Sequence, residues 1–399
     1  MRRAGPKLLL IVIGVLLGLT VVEIALRVAG IAPPEVRAYD PVRGWQLKPG
    51  ATGLQRSEGH AHVVINTGGF RGPEVAVTKP PGVVRVAVVG DSFTEGMHVP
   101  YEQTFCAVME RELSRCLPRG LRPQVLDFGV SGYGTAQELL TLREQVWPYA
   151  PDLVILAFFP GNDVSDNSSA LDSESWLSGE RCRPHFSIRD GALIEHDEFR
   201  TLPLANLWCH SVFWLNRFAI MDYLGEPVVI LQRVVTKPKA ASEVARHEPG
   251  LDDEIYGPPP TSRWSKAWAV TEKLIVEMSR EVKARGARFA VVTTSTPIQV
   301  YPDASYRRSY LQKIGGVDLF YADHRLEALG AQEGFAVLNL APPLQLYADQ
   351  HHAFLHGFAN TQLGSGHWNE LGHRLAGELI GKRFCPFVRQ DAPSSGADK

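Results

Sequence analysis

From Val84 the chain alternates short apolar runs with stretches whose apolar residues recur at helical spacing, and this alternation constrains the fold most. "VRVAVVG" is a buried strand ended by glycine. "TFCAVMERELSRCL" follows as a helix, "QVLDFGV" as a second strand, "TAQELLTLREQV" as a second helix, and "DLVILAFF" as a third strand closed by Pro160-Gly161. A long helix begins near Thr261, with Trp264, Trp268, Leu274, Ile275, Met278 and Val282 on one face, and Gly286 ends it. "ARFAVVTT" is the fourth strand, "ADHRLEALGAQEG" a helix, "FAVLNL" the fifth strand and "NELGHRLAGELIGKRF" the last helix. Strands alternating with helices imply an α/β domain, over residues 81–390, whose parallel sheet is covered on both faces by right-handed crossovers. The segment at about 164–260 lacks this rhythm and reads as an insertion.

The flanks differ from this domain. Arg2, Arg3 and Lys7 precede "LLLIVIGVLLGLTVV", and apolar character resumes past Glu23 as "IAL". Residues 1–30 are therefore a signal segment or a single transmembrane helix. Pro33 after the Gly30-Ile31-Ala32 triplet disfavours cleavage, so an uncleaved anchor is the favoured reading. The positive-inside rule then leaves the N-terminus in the cytoplasm and the domain outside, in the periplasm or at the cell surface. Glu23 and Arg27, one helical turn apart, are placed to pair at the interface. Residues 31–80, rich in Gly and Pro, read as an extended or β-rich lead-in, and 391–399 as a disordered tail.

A formal net charge of −2 brings no basic excess, so nucleic acid is not an expected partner. The 5 cysteines contain no CxxC, which argues against zinc. Cys182 with Cys209 is the favoured disulfide, buried free thiols being the alternative. His351, His352 and His356 form a loose cluster that fits no standard metal site, and no cofactor or metal is expected.

In parallel sheets the site forms beyond the carboxyl ends of the strands. After the first strand comes Gly90-Asp91-Ser92, after the second Gly129-Val130-Ser131-Gly132, after the third Gly161-Asn162-Asp163, and after the fifth a long loop leading to Gly366-His367-Trp368. Together these offer what acyl transfer needs: a nucleophile, a general base and oxyanion donors. Asp91 reads as a brace for the nucleophile loop, His373 as packing, and Tyr101 and Tyr133 as candidates for an acyl pocket.

The motifs in this order resemble the SGNH (GDSL-type) esterases and lipases, over roughly Val84 to Phe387 apart from the insertion. The resemblance implies a three-layer α/β/α sandwich with a flavodoxin-like parallel sheet. It implies Ser92 as nucleophile and His367 as general base. It implies an oxyanion hole made of the Ser92 and Gly132 backbone N–H groups and the Asn162 side-chain amide. The substrate would be an acyl ester. One feature departs from the family: its usual DxxH block puts an aspartate where this chain has Gly364, and Ser365 holds the other position where relatives carry the acid. Three readings stay open. The site works as a Ser–His dyad, or Asp349 or Asp163 serves as the orienting acid, or catalysis is weak.

The leading function is a membrane-anchored extracytoplasmic esterase that removes an acyl group, acetyl being one candidate, from a glycan or lipid. The first alternative is an O-acyltransferase acting on a cell-envelope polysaccharide. The second is a catalytically silent module that binds through the insertion.

Overall fold

The computed structural model describes residues 4–29, 35–171, 181–221 and 249–390. Five parallel strands form the central sheet. They are numbered here with the six hairpin strands in chain order: β5 (Val83–Gly90), β6 (Arg122–Gly129), β7 (Leu153–Phe158), β10 (Arg288–Thr293) and β11 (Ala336–Asn339). Their spatial order is β11-β10-β7-β5-β6. This is the doubly wound, flavodoxin-like arrangement, with its switch point between β5 and β7.

Side-chain alternation along these strands builds two cores. Ala87, Val89, Leu126, Phe128, Val154 and Leu156 face one way, against Leu139, Trp268, Leu274 and Leu326. Those partners lie on helices Thr135–Thr141, Ser262–Ala284 and Tyr321–Glu333. Val84, Val86, Val88, Val125, Leu153 and Ile155 face the other way, against Phe105, Met109, Leu344, Ala376 and Ile380. These come from helices Phe105–Cys116, Ala341–His351 and Glu370–Gln390. The fold is therefore a three-layer α/β/α sandwich. All five expected strands are present, within a residue or two of their expected ends. Three longer helices, Pro203–Leu215, Ala304–Ile314 and Ala341–His351, go beyond the sequence reading, and the last opens on Pro342-Pro343, which suits the first helical turn.

The lead-in is two antiparallel hairpins. β1 (Arg37–Asp40) pairs with β2 (Gly44–Leu47), and β3 (Thr52–Gln55) with β4 (Ala61–Val64). The described part of the insertion holds a third hairpin, β8 (His185–Arg189) with β9 (Ala192–His196), and the helix Pro203–Leu215. The tail 391–399 lies outside the described residues. Among the described residues, one helical segment, Leu9–Val28, is long and apolar enough to cross a membrane by length and composition, and none of it is buried.

Cys182 and Cys209 are bonded, and Cys106 is a buried free thiol. A second bond, Cys116–Cys385, spans 269 residues and ties the ends of two packed helices together. Closing so long a loop restricts the unfolded chain strongly. Cys385→Ser is expected to lower unfolding free energy by about 2–4 kcal/mol, read as a lower denaturant midpoint with a steeper slope, because the unlinked unfolded chain exposes more surface.

Candidate active site

Ser92 stands immediately beyond β5, at the start of a one-turn helix, Ser92–Glu95. Asp91 caps that turn: its carboxylate accepts from the Phe93 N–H at 2.9 Å. The loop after β6 is held to the same turn. Glu95 Oε2 accepts from the Ser131 N–H at 2.6 Å and from the Ser131 hydroxyl. The Trp45 indole N–H, from β2, donates to the Ser131 carbonyl at 3.2 Å. Because the peptide is planar and trans, fixing the Ser131 carbonyl also fixes the direction of the Gly132 N–H. Ser92, Gly132 and Asn162 are each half-buried between fully buried neighbours, so each reaches solvent from a closed stretch at the sheet's carboxyl edge.

His367 completes this cluster. Its Nε2 lies 2.8 Å from Ser92 Oγ. Its Nδ1 lies 2.8 Å from Glu58 Oε2, and its backbone N–H donates to Glu58 Oε1 at 2.7 Å. With Nδ1–H donating to the carboxylate, Nε2 is free to accept the Ser92 proton. The carboxylate that meets the His367 ring is Glu58, from the β3–β4 loop, and neither expected candidate reaches it. Asp349 is taken by a bidentate pair with Arg307, at 2.7 and 2.8 Å. Asp163 is buried and accepts from the Phe159 N–H at 2.8 Å. Burial, with the nearby Glu138 and Asp91 charges, pushes its carboxyl well above the usual range, and the Nδ1 it would have to meet is already held by Glu58.

The β3–β4 loop is clamped in place. The Asn360 side chain donates to the carbonyls of Arg56 and Gly59 at 2.8 and 3.0 Å and accepts from the Gly59 N–H at 3.1 Å. On the other side, a Cβ at Gly366 would sit 2.2 Å from Glu58 Oε1, and the φ of +75° there favours glycine. The Gly364-Ser365-Gly366 run thus makes room for a carboxylate arriving from another segment.

Burial pushes the Glu58 carboxyl up, but the His367 imidazole hydrogen bond, its charge and its backbone N–H outweigh this and hold it below the usual 4.5. A carboxyl lowered on folding stabilises the protein above its unfolded value, and that contribution is lost as pH falls through the folded value. The stability lead of wild type over Glu58→Gln is therefore expected to be full above pH 4.5 and to shrink below it, in denaturant titrations on either side of that value.

Three further imidazoles surround His367. His98 stacks on it with ring centroids 3.9 Å apart, and its Nε2 is 3.5 Å from Glu58 Oε2. Burial, then the His367, His373 and Arg71 charges, hold His98 well below its ordinary value. Burial also pushes His356 and His373 down to about 3. His356 contacts the Gly366 carbonyl through Nδ1 at 2.7 Å and Ser295 Oγ through Nε2 at 3.1 Å. The Trp368 indole donates to the same hydroxyl at 2.8 Å, so this network braces the His367 turn from below. All three are held below the ordinary imidazole value by burial and pack around the His367 turn. His351 and His352 are exposed, so the loose histidine cluster does not assemble. Among the described residues, Glu58, His98 and His367 are the one group spaced to hold a metal, but both His367 nitrogens are already engaged. Tyr133 is fully buried with its hydroxyl donated to the Trp45 carbonyl, so it braces the loop and does not line an acyl pocket.

No family model matches the chain, and no curated protein matches it. Solved structures do align. A lipase/acylhydrolase from Enterococcus faecalis is 14% identical, covering 76% of this chain and 96% of that one, with a TM-score of 0.38. An acetyl xylan esterase, AlAXEase, is 10% identical over 75% and 99% of the two chains, with a TM-score of 0.39. A two-domain esterase (CEX) active on acetylated mannans is 10% identical over 77% and 50%, with a TM-score of 0.38. At such identities and scores the chemistry rests on the Ser92–His367–Glu58 geometry.

Proposed function

We propose that this protein is an SGNH-type serine esterase that cleaves an acyl ester through a Ser92–His367–Glu58 triad. The unbroken chain from Ser92 Oγ through His367 to Glu58, with 2.8 Å at each link, carries the reading. His367 Nε2 takes the Ser92 proton as Oγ attacks the ester carbonyl. The imidazolium that forms is stabilised by the Glu58 carboxylate and then returns the proton to the leaving alcohol. The developing oxyanion faces the N–H groups of Ser92 and Gly132 and the Asn162 amide. Water, activated by the same imidazole, releases the acid.

The helix Leu9–Val28 is the membrane anchor in this reading, with the catalytic domain outside the cytoplasm. Two disulfides suit that oxidising side. The substrate is then an acyl ester of an envelope glycan or lipid, with acetyl as the first acyl group to try. A carboxylate on His367 removes the motive for reading the domain as a silent binding module.

A fluorophosphonate probe is expected to label wild type once, at Ser92, and the labelled protein to lose hydrolysis of p-nitrophenyl acetate. Labelling that persists in Ser92→Ala, or none in wild type, would sink the reading. Acyl transfer to a glycan acceptor faster than hydrolysis would favour the transferase.

A further inference from the structure

The helix Pro203–Leu215 has 13 residues, "PLANLWCHSVFWL", and no Asp, Glu, Lys or Arg among them. One side holds it to the domain. Cys209 and Val212 are buried, Cys209 is bonded to Cys182, and the Asn206 amide donates to the Tyr39 hydroxyl at 3.2 Å. The other side is apolar and uncovered: Leu204 is 82% exposed, Leu207 64% and Trp214 57%. Phe218 continues this face past the helix end, 5.2 Å edge-on from Trp214. Large uncovered apolar side chains at i, i+3 and i+10 along one helix mark an interaction surface.

The surroundings identify the occupant. The apolar helix Leu9–Val28 ends against the segment that follows this face. Glu23 accepts from the Ala219 and Ile220 N–H groups at 3.1 Å each, and Arg27 donates to the Arg217 carbonyl at 2.6 Å. Arg27 also pairs with Glu23 at 2.6 Å. Charged residues at the end of a span mark the headgroup level, so residues 217–220 stand at that level and Trp214 and Phe218 stand beside it. Arg37 and Lys48 line an adjoining groove of about 720 Å³, in which Arg217 pairs with Glu35 at 3.0 Å, so that the groove carries a net positive charge where lipid phosphates lie.

We propose that the Leu204–Leu207–Trp214–Phe218 face lies in the headgroup zone of the bilayer that Leu9–Val28 crosses. The domain is then held in one attitude, by a span and by an interfacial helix. The β1–β2 hairpin links this helix to the site, since Tyr39 of β1 meets Asn206 and Trp45 of β2 holds the Ser131 carbonyl. The proposal rests on the anchor reading above, and the test separates the two.

The full chain is reconstituted in phosphatidylcholine–phosphatidylglycerol vesicles with a nitroxide at Leu207→Cys, at Leu204→Cys, or at the exposed Val317→Cys as a control. The one native free thiol, Cys106, is buried. Retention in vesicles through alkaline carbonate reports the span. Power saturation with oxygen and a water-soluble nickel chelate reports the face. The expected result is an oxygen-to-nickel accessibility ratio several-fold higher at positions 204 and 207 than at 317. Water-like ratios at both positions, in protein that resists carbonate, overturn the proposal and leave the anchor intact. Spin–spin broadening at 207 that disappears on dilution with unlabelled chain also overturns it, because a second copy then covers the face. Release by carbonate overturns the anchor and the proposal with it.

Discussion

Glu58→Gln is expected to lower kcat for p-nitrophenyl acetate by about 10⁴-fold, with KM little changed. Glutamine keeps the shape and can still meet the His367 backbone, but it offers an amide where the imidazole needs an anionic acceptor. The Nδ1–H loses the partner that fixes its tautomer, and the imidazolium formed in the transition state loses its counter-charge. Ser92→Ala sets the floor, at about 10⁶-fold. Because the triad acts as a unit, adding Glu58→Gln to Ser92→Ala should cost almost nothing more. Asp349→Asn and Asp163→Asn are the controls. Asp349 is engaged by Arg307 and Asp163 by the Phe159 N–H, so neither substitution should approach the Glu58 effect on kcat. A Glu58→Gln enzyme within about tenfold of wild type, folded and labelled at the normal rate, would return the site to a Ser–His dyad.

The catalytic strands were legible because burial writes itself into composition. β5 and β7 are buried along their whole lengths and read as continuous apolar runs. The loops that carry Ser92, Gly132, Asn162 and His367 were legible because each follows a strand or leads into the last helix, where the parallel-sheet rule looks, and of these residues Ser92 and His367 meet at 2.8 Å. Glu58 was not. It sits upstream of the first sheet strand, in the β3–β4 loop, and its pairing with His367 depends on how that hairpin docks against the loop holding Asn360. Its local sequence, "RSEGH", is an ordinary polar turn. The one available signal was negative: three small residues, Gly364-Ser365-Gly366, stood where an acid was expected, and small residues leave space. The disulfide Cys116–Cys385 was hidden for a related reason, since it joins distant segments that meet only once the two helices pack. The helix Pro203–Leu215 lay in a segment whose composition merely failed to fit the β–α rhythm.

Gly366→Ala tests whether that space is what makes the triad. A methyl group there would stand 2.2 Å from Glu58 Oε1, well inside contact distance, and the same oxygen accepts the His367 N–H at 2.7 Å. The turn cannot easily retreat, because the Gly366 carbonyl is held by His356 Nδ1 at 2.7 Å. The carboxylate must move by roughly 1 Å, which is enough to cost about 10²-fold in kcat. Alanine at positive φ adds a folding cost of about 1–2 kcal/mol. Gly364→Ala separates the two effects. Gly364 has φ +80° and its added methyl would meet the Tyr301 ring at 2.6 Å, so it carries a similar strain with no clash against Glu58. The expected pattern is a lowered melting temperature in both variants, with the large loss of kcat confined to Gly366→Ala. Adding Glu58→Asp, which withdraws the carboxylate by one methylene, should restore part of that loss. Equal kcat in the two glycine variants would mean that the turn tolerates a side chain and that Glu58 reaches His367 for some other reason than the gap at Gly366.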